Sequence, residues 1–152
     1  MELAEPEVGK RTILTVPIKA ILRYWNPLGD CAWAIERNIT PEDVYSYSGP
    51  EITDDEFEPE QLGISDRDFE IGRIAYFIRN GIPDVTVDPN PIILSVIELG
   101  YITDGNHRLT AAMFRGDETI DVAVVGDLQL AIDVYIHGDD LVRRLYGASS
   151  ER

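Results

Sequence analysis

Tyr101-Ile-Thr-Asp-Gly-Asn-His-Arg-Leu-Thr-Ala-Ala-Met113 is the stretch on which the reading of this chain depends. It runs from an apolar strand through a tight turn into a helix with Leu109, Ala112 and Met113 on one side. Gly105 permits a positive φ and a close backbone approach that a β-carbon would obstruct. The first N–H groups of a helix have no partners within it and point outward as donors. The helix dipole favours an anion there by about 0.3–1 kcal/mol when exposed, and up to about 2 kcal/mol when partly buried. Arg108 adds a planar fork suited to phosphate oxygens, with charged hydrogen bonds of about 1.5–3 kcal/mol each. Gly105, Asn106, His107, Arg108 and Thr110 are therefore the candidate phosphate-binding residues.

Asp104 needs its own account, because a carboxylate beside a phosphate repels it. It caps the helix, braces Arg108 or a backbone N–H, meets Mg²⁺ carried by a nucleotide, or serves as a general base toward a hydroxyl. His107 either donates to a phosphate and handles protons or braces the turn. The candidate catalytic set is Asp104, His107 and Arg108, with Asp104 the candidate metal contact.

Upstream, Thr12–Ala20 carries β-branched residues in rough alternation and predicts a first strand, with Pro17 marking an edge or bulge. Asp30 caps an expected short helix over Cys31–Arg37, with Trp33 facing inward. Thr40-Pro41-Glu42-Asp43 opens another helix toward Ser48, and Gly49-Pro50 stops it. Glu51 to Gly63 reads as a surface loop. Ser65 opens a helix with Asp68 in a capping position, an apolar stripe of Phe69, Ile71, Ile74, Phe77 and Ile78, and a close at Asn80-Gly81. Strands are expected over Pro91–Val96, Ile97–Thr103 and Thr119–Val125, and a helix over Asn106–Arg115. Asp127–Tyr146 reads as helical in one or two pieces, interrupted near His137-Gly138. The expectation is an α+β fold: a single small domain over 12–146, with a small mixed sheet and helices packed around it. Residues 1–11 and 147–152 read as tails.

With 152 residues, 44% of them hydrophobic, the chain suits one domain with a real core. No apolar run reaches the roughly 18–20 residues of a membrane-spanning helix. The acidic opening, broken by Pro6, is the wrong chemistry for a secretory signal, and one cysteine, Cys31, leaves no partner for an intrachain disulfide. A cytoplasmic protein is the expectation. The net charge of −15 repels nucleic-acid backbones, so direct DNA binding is disfavoured. Eleven acids lie between Pro41 and Glu70 against one base, Arg67. This acidic insert is a solvated face, or a surface that imitates DNA or docks a basic protein partner.

The run from Tyr101 to Val125 resembles the signature of the ParB/sulfiredoxin superfamily: strand, Asp-Gly-x-His-Arg turn, Ala-rich helix, glycine, strand. The likeness extends from about Ile92 to Val125, and Thr15–Ala20 stands where the family has its opening strand. Members include partition proteins that hydrolyse CTP, ATP-dependent sulfiredoxins, free-serine kinases and proteins described as nucleases. The resemblance implies nucleotide phosphate held at Gly105, Asn106, His107 and Arg108, with Mg²⁺ and ATP or another NTP as cofactors. Sulfiredoxins carry their cysteine directly before His-Arg, where this chain has Asn106, which argues against sulfinic-acid repair. Cys31 reads as a small buried hydrophobe. A partition role lacks a DNA-reading helix-turn-helix and a second phosphate motif.

The remaining candidates are weaker. His107 and His137 are the two histidines, and no Cys/His spacing suggests zinc. Asp139-Asp140 is a helix cap or a metal pair, and Arg143-Arg144 is a small basic patch. Trp25, Trp33, Tyr45 and Tyr47 pack the core or stack a nucleobase. Kinase-like members bring a catalytic carboxylate from the N-terminal part of the fold, and the resemblance makes Glu36 a candidate for it, although nothing in its local sequence marks it out. The leading expectation is an NTP-binding domain, an NTPase or small-molecule kinase if it is an enzyme. The rival is a non-catalytic regulator, antitoxin-like binder or DNA mimic working through residues 41–70. A nuclease is a third reading, opposed by the charge.

Overall fold

The computed structural model describes residues 11–29, 33, 38–53, 58–96 and 101–138, with the backbone alone at Tyr101. The protein is a small α+β domain built on a mixed sheet of four strands. The strands are β1 (Ile13–Pro17), β2 (Ile93–Ser95), β3 (Tyr101–Asp104) and β4 (Thr119–Val125), in the spatial order β1-β4-β2-β3. β4 pairs antiparallel with β1 and parallel with β2, and β2 pairs antiparallel with β3. The parallel step is crossed by a helix, α5 (Asn106–Arg115), which leaves β3 and returns the chain to β4. A register shift between Ile93 and Leu94 interrupts the β2–β3 ladder.

Before the crossover come α1 (Ile18–Leu22), α2 (Pro41–Tyr45), α3 (Pro59–Leu62) and α4 (Asp66–Asn80). After β4 the chain forms α6 (Leu128–Ala131), which runs into a π turn over Ile132–Ile136. Local chemistry sets several of these starts. Thr40 accepts from the Asp43 N–H while Asp43 accepts from the Thr40 N–H, a complete capping box with Pro41 in the first turn. Ser65 caps α4 by accepting from the Asp68 N–H, and Asp127 caps α6 by accepting from Leu130. The Asp43 carboxyl is held below its usual value, chiefly by that Thr40 N–H and further by Arg67, against some desolvation.

Two apolar clusters hold the domain. One lies on the sheet and joins Val16, Leu94, Ile102, Val122 and Val124 to Ile21 of α1, Leu109 and Ala112 of α5, and Tyr135 of the π turn. Burial pushes the Tyr135 hydroxyl well above its ordinary range. The other joins Ile39 and Val44 to Ile71, Ile74, Ala75 and Phe77 of α4 and to Ala111 of α5. Consecutive alanines thus face different clusters, and α5 is wedged between them. Its small side chains let both approach the same backbone.

Several sequence expectations are corrected. The strand expected over Thr12–Ala20 ends at Pro17, and α1 begins at Ile18. The helix expected to reach Ser48 stops at Tyr45. The expected loop over Glu51 to Gly63 contains the one-turn helix α3, with Pro59 as its first residue. The boundaries Asn106–Arg115 and Thr119–Val125 stand as expected. The expected Cys31–Arg37 helix falls outside the described residues apart from Trp33, as do residues 97–100 of an expected strand and the chain beyond residue 138. Cys31, Glu36, Asp139, Asp140, Arg143 and Arg144 also lie outside them. Among the described residues, no helix is long and apolar enough to cross a membrane.

Candidate functional site

Helix α5 begins at Gly105, its N-cap, with φ 82° and no side-chain cap. Gly105 is pressed against the start of β2. A β-carbon on it would lie 2.5 Å from the Ile92 α-carbon and 2.9 Å from the Ile92 nitrogen. Glycine is therefore required twice, by conformation and by space. The Asp104 carboxylate accepts from the Gly105 N–H at 2.8 Å. Of the roles open to Asp104 in the sequence, bracing a backbone N–H is the one seen in the geometry, and the cap position belongs to its neighbour.

Each of the three residues that follow is held from a different part of the chain. Asn106 accepts at its side-chain oxygen from the Trp25 indole N–H, 2.7 Å away. The imidazole Nε2 of His107 pairs with the Glu70 carboxylate of α4, and its ring stacks on Trp33 at 4.7 Å between centroids and 23° between planes. Arg108 meets Asp88 in bidentate fashion, Nε to Oδ2 at 2.6 Å and Nη2 to Oδ1 at 2.8 Å. Its guanidinium lies 4.4 Å from the centre of the Phe77 ring. Thr110 turns its hydroxyl back onto the Asn106 carbonyl at 2.9 Å. His107, Arg108 and Thr110 are all buried.

The structure thus gathers Asp104, Gly105, Asn106, His107, Arg108 and Thr110 into one turn, as the sequence indicates. It also brings Trp25 and Trp33 to that turn. Tyr47 and Tyr45 go elsewhere: Tyr47 donates to the Pro50 carbonyl at 2.6 Å, and Tyr45 to the Phe114 carbonyl at 3.4 Å. Burial pushes the Tyr47 hydroxyl up from its ordinary value. His137 is exposed at the end of the π turn.

The sequence reading missed Asp88, Glu70 and Phe77 as partners. Asp88 sits in Val-Asp-Pro-Asn-Pro, where local chemistry reads as a turn and nothing marks a partner in α5. Glu70 is the last of the eleven acids in the 41–70 region, yet it faces inward while Glu42, Glu51, Glu58, Glu60, Asp66 and Asp68 are exposed.

Among the described residues, no group of three or more His, Cys, Asp or Glu side chains converges as a metal site. What the turn offers chemically is the positive end of a ten-residue helix, a carboxylate at Asp104, and a histidine–carboxylate pair beside them. Compared with known proteins, the chain matches no family model, no curated protein and no solved structure.

Proposed function

We propose that this domain binds a nucleoside triphosphate with Mg²⁺ at the start of α5, as a ParB/sulfiredoxin-like domain would. The observation that carries the reading is the first turn without a side-chain cap but held by its surroundings: Gly105 is pressed on Ile92, and Asn106, His107 and Arg108 each meet a separate partner. A phosphate site needs N–H donors held in place before the ligand arrives, because their ordering then costs nothing on binding. An ordinary helix start achieves its end with one capping side chain.

Charge argues for the metal. Asp104 stands at this turn, so a bare polyphosphate meets a carboxylate as well as the helix dipole. Mg²⁺ is commonly held by one or two carboxylates together with substrate phosphates, and Asp104 is the carboxylate nearest the turn. Bound in that way, the ion would neutralise phosphate charge as it develops. Phosphoryl transfer or NTP hydrolysis is the chemistry this supports, with Asp104 or His107 moving the proton.

The test is thermal unfolding with ATP, CTP, GTP and ADP, each with and without Mg²⁺, on the wild type and on Asp104→Asn. A ligand at about 100 times its Kd adds roughly 2.7 kcal/mol to the folded state. The expected result is a shift of several degrees with one nucleotide, dependent on Mg²⁺ and reduced in Asp104→Asn. No shift with any nucleotide overturns the reading. The rival, an acidic protein that captures a basic partner, rests on the exposed carboxylates of the 41–70 region. It predicts salt-sensitive binding to a basic protein and indifference to nucleotides.

A further inference from the structure

Arg108 is the residue the family likeness would place on the phosphate, and its surroundings point to another task. Its side chain is 4% exposed and that of Asp88 is 1% exposed. A phosphate outside the helix would have to displace the packing around this buried guanidinium to reach it. Two of its nitrogens are engaged by the two oxygens of one carboxylate, the same bidentate geometry a phosphate would use. The guanidinium lies over the Phe77 ring, so rotating the group toward the surface would break that packing as well.

Asp88 is itself held in place. Its N–H donates to the Asp84 carbonyl at 2.9 Å, and its Oδ1 accepts from the Asn90 N–H at 3.0 Å. Asp84 in turn accepts from the Thr86 N–H at 2.9 Å and the Thr86 hydroxyl at 2.8 Å. The same segment continues through Pro91 into Ile92, whose backbone backs Gly105. One stretch of chain, 84–92, therefore meets the helix start at two points: Ile92 against Gly105, and Asp88 against Arg108. Together these contacts set both the position and the rotation of the first turn.

We propose that Asp88 is the positioning residue of the phosphate site, acting through Arg108, which serves from inside the protein and does not close on the ligand. The proposal rests on the nucleotide reading above. The ligand is held by main-chain N–H groups, and the 84–92 segment fixes where they point. The ion pair locks the helix start, so its loss misaims the donors without touching the phosphate.

The experiment is a titration of the ¹⁵N-labelled full chain with Mg²⁺-pyrophosphate and with Mg²⁺-ATP, following backbone amides and the arginine Nε–H signals. The expected result is movement of the Asn106 and His107 amides, while the Arg108 Nε–H keeps its frequency and its slow exchange with water. An Arg108 Nε–H that moves with the amides, or begins to exchange, overturns the proposal and leaves the nucleotide reading standing. A spectrum in which no first-turn amide moves overturns both. Asp88→Asn supplies the second arm. Positioning predicts a loss of Mg²⁺-pyrophosphate affinity of roughly tenfold or more. A gain, from an Arg108 released to grip the phosphate, overturns it. If Asp88→Asn fails to fold, the wild-type titration decides alone.

Discussion

The α-carbon of Ile92 stands so close to Gly105 that a β-carbon on residue 105 would lie 2.5 Å from it. Gly116, at the other end of α5, has the same φ of 82° and nothing within 4 Å of its hypothetical β-carbon. The two glycines therefore separate conformation from space. Gly116→Ala should cost about 1–2 kcal/mol, the strain of a left-handed residue. Gly105→Ala adds an overpacking cost of about 1–3 kcal/mol and should total about 2–5 kcal/mol. Urea unfolding of both variants checks this, and equal losses would show that β2 simply moves aside.

Removing either member of the Asp88–Arg108 pair takes a bidentate, oppositely charged partner from the other in a site that is almost fully dry. Arg108→Ala and Asp88→Ala should each cost about 3–5 kcal/mol. The double variant Asp88→Leu/Arg108→Met should be less destabilised than the sum of the two singles, because neither charge remains. Denaturant midpoints of the three variants decide. A loss of nucleotide binding in Arg108→Ala is informative about the site only at temperatures where that variant is folded.

Glu70 and His107 link α4 to the start of α5. A double-mutant cycle with Glu70→Gln and His107→Ala should give a coupling energy of about 0.5–3 kcal/mol. Coupling near zero would mean that the two side chains are neighbours without mutual support.

Asp43 supplies a pH prediction. Its folded-state pKa is depressed, first by the Thr40 N–H and further by Arg67, so its contribution to stability is present above the unfolded carboxylate value. That contribution fades as pH falls through the folded value. Between pH 7 and pH 3 the wild type should lose more stability than Asp43→Asn, with the difference appearing below about pH 4. Thr40→Ala removes only the hydroxyl that accepts from the Asp43 N–H and should cost about 1 kcal/mol at neutral pH, while the backbone N–H that chiefly lowers the Asp43 carboxyl stays in place. Parallel acid titrations of wild type and Asp43→Asn would refute the assignment.

Helix α5 and strand β4 were readable because glycines bracket the helix and the strand is apolar or β-branched apart from Asp121. The junction at Pro17 was not. Val16, Ile18 and Ala20 are all buried, a spacing of two that reads as a strand, while Ile21 is buried beside them as a helix requires. Pattern alone cannot choose between these. The strand–turn–helix over 101–115 was legible as a piece of structure, since its residues are contiguous. Its supports were not, because Glu70, Asp88 and Trp25 reach it through tertiary folding from segments whose local chemistry suggests a helix entry, a turn and a loop. The reading of the 41–70 acids as one solvated face was too broad for Glu70, which turns inward.

The outermost pairing of the sheet carries a kinetic consequence. Thr15 of β1 donates to Asp121 of β4 at 2.5 Å, across a sequence separation of 106 residues. Closing so large a loop carries a high entropic cost and slows any folding route that attempts it early. On a ribosome, the first strand must wait unpaired until almost the whole domain has been synthesised, while β2, β3, α5 and β4 can assemble locally behind it. Refolding should therefore show the 93–125 unit gaining amide protection ahead of Ile13–Pro17, making β1 the last strand to join.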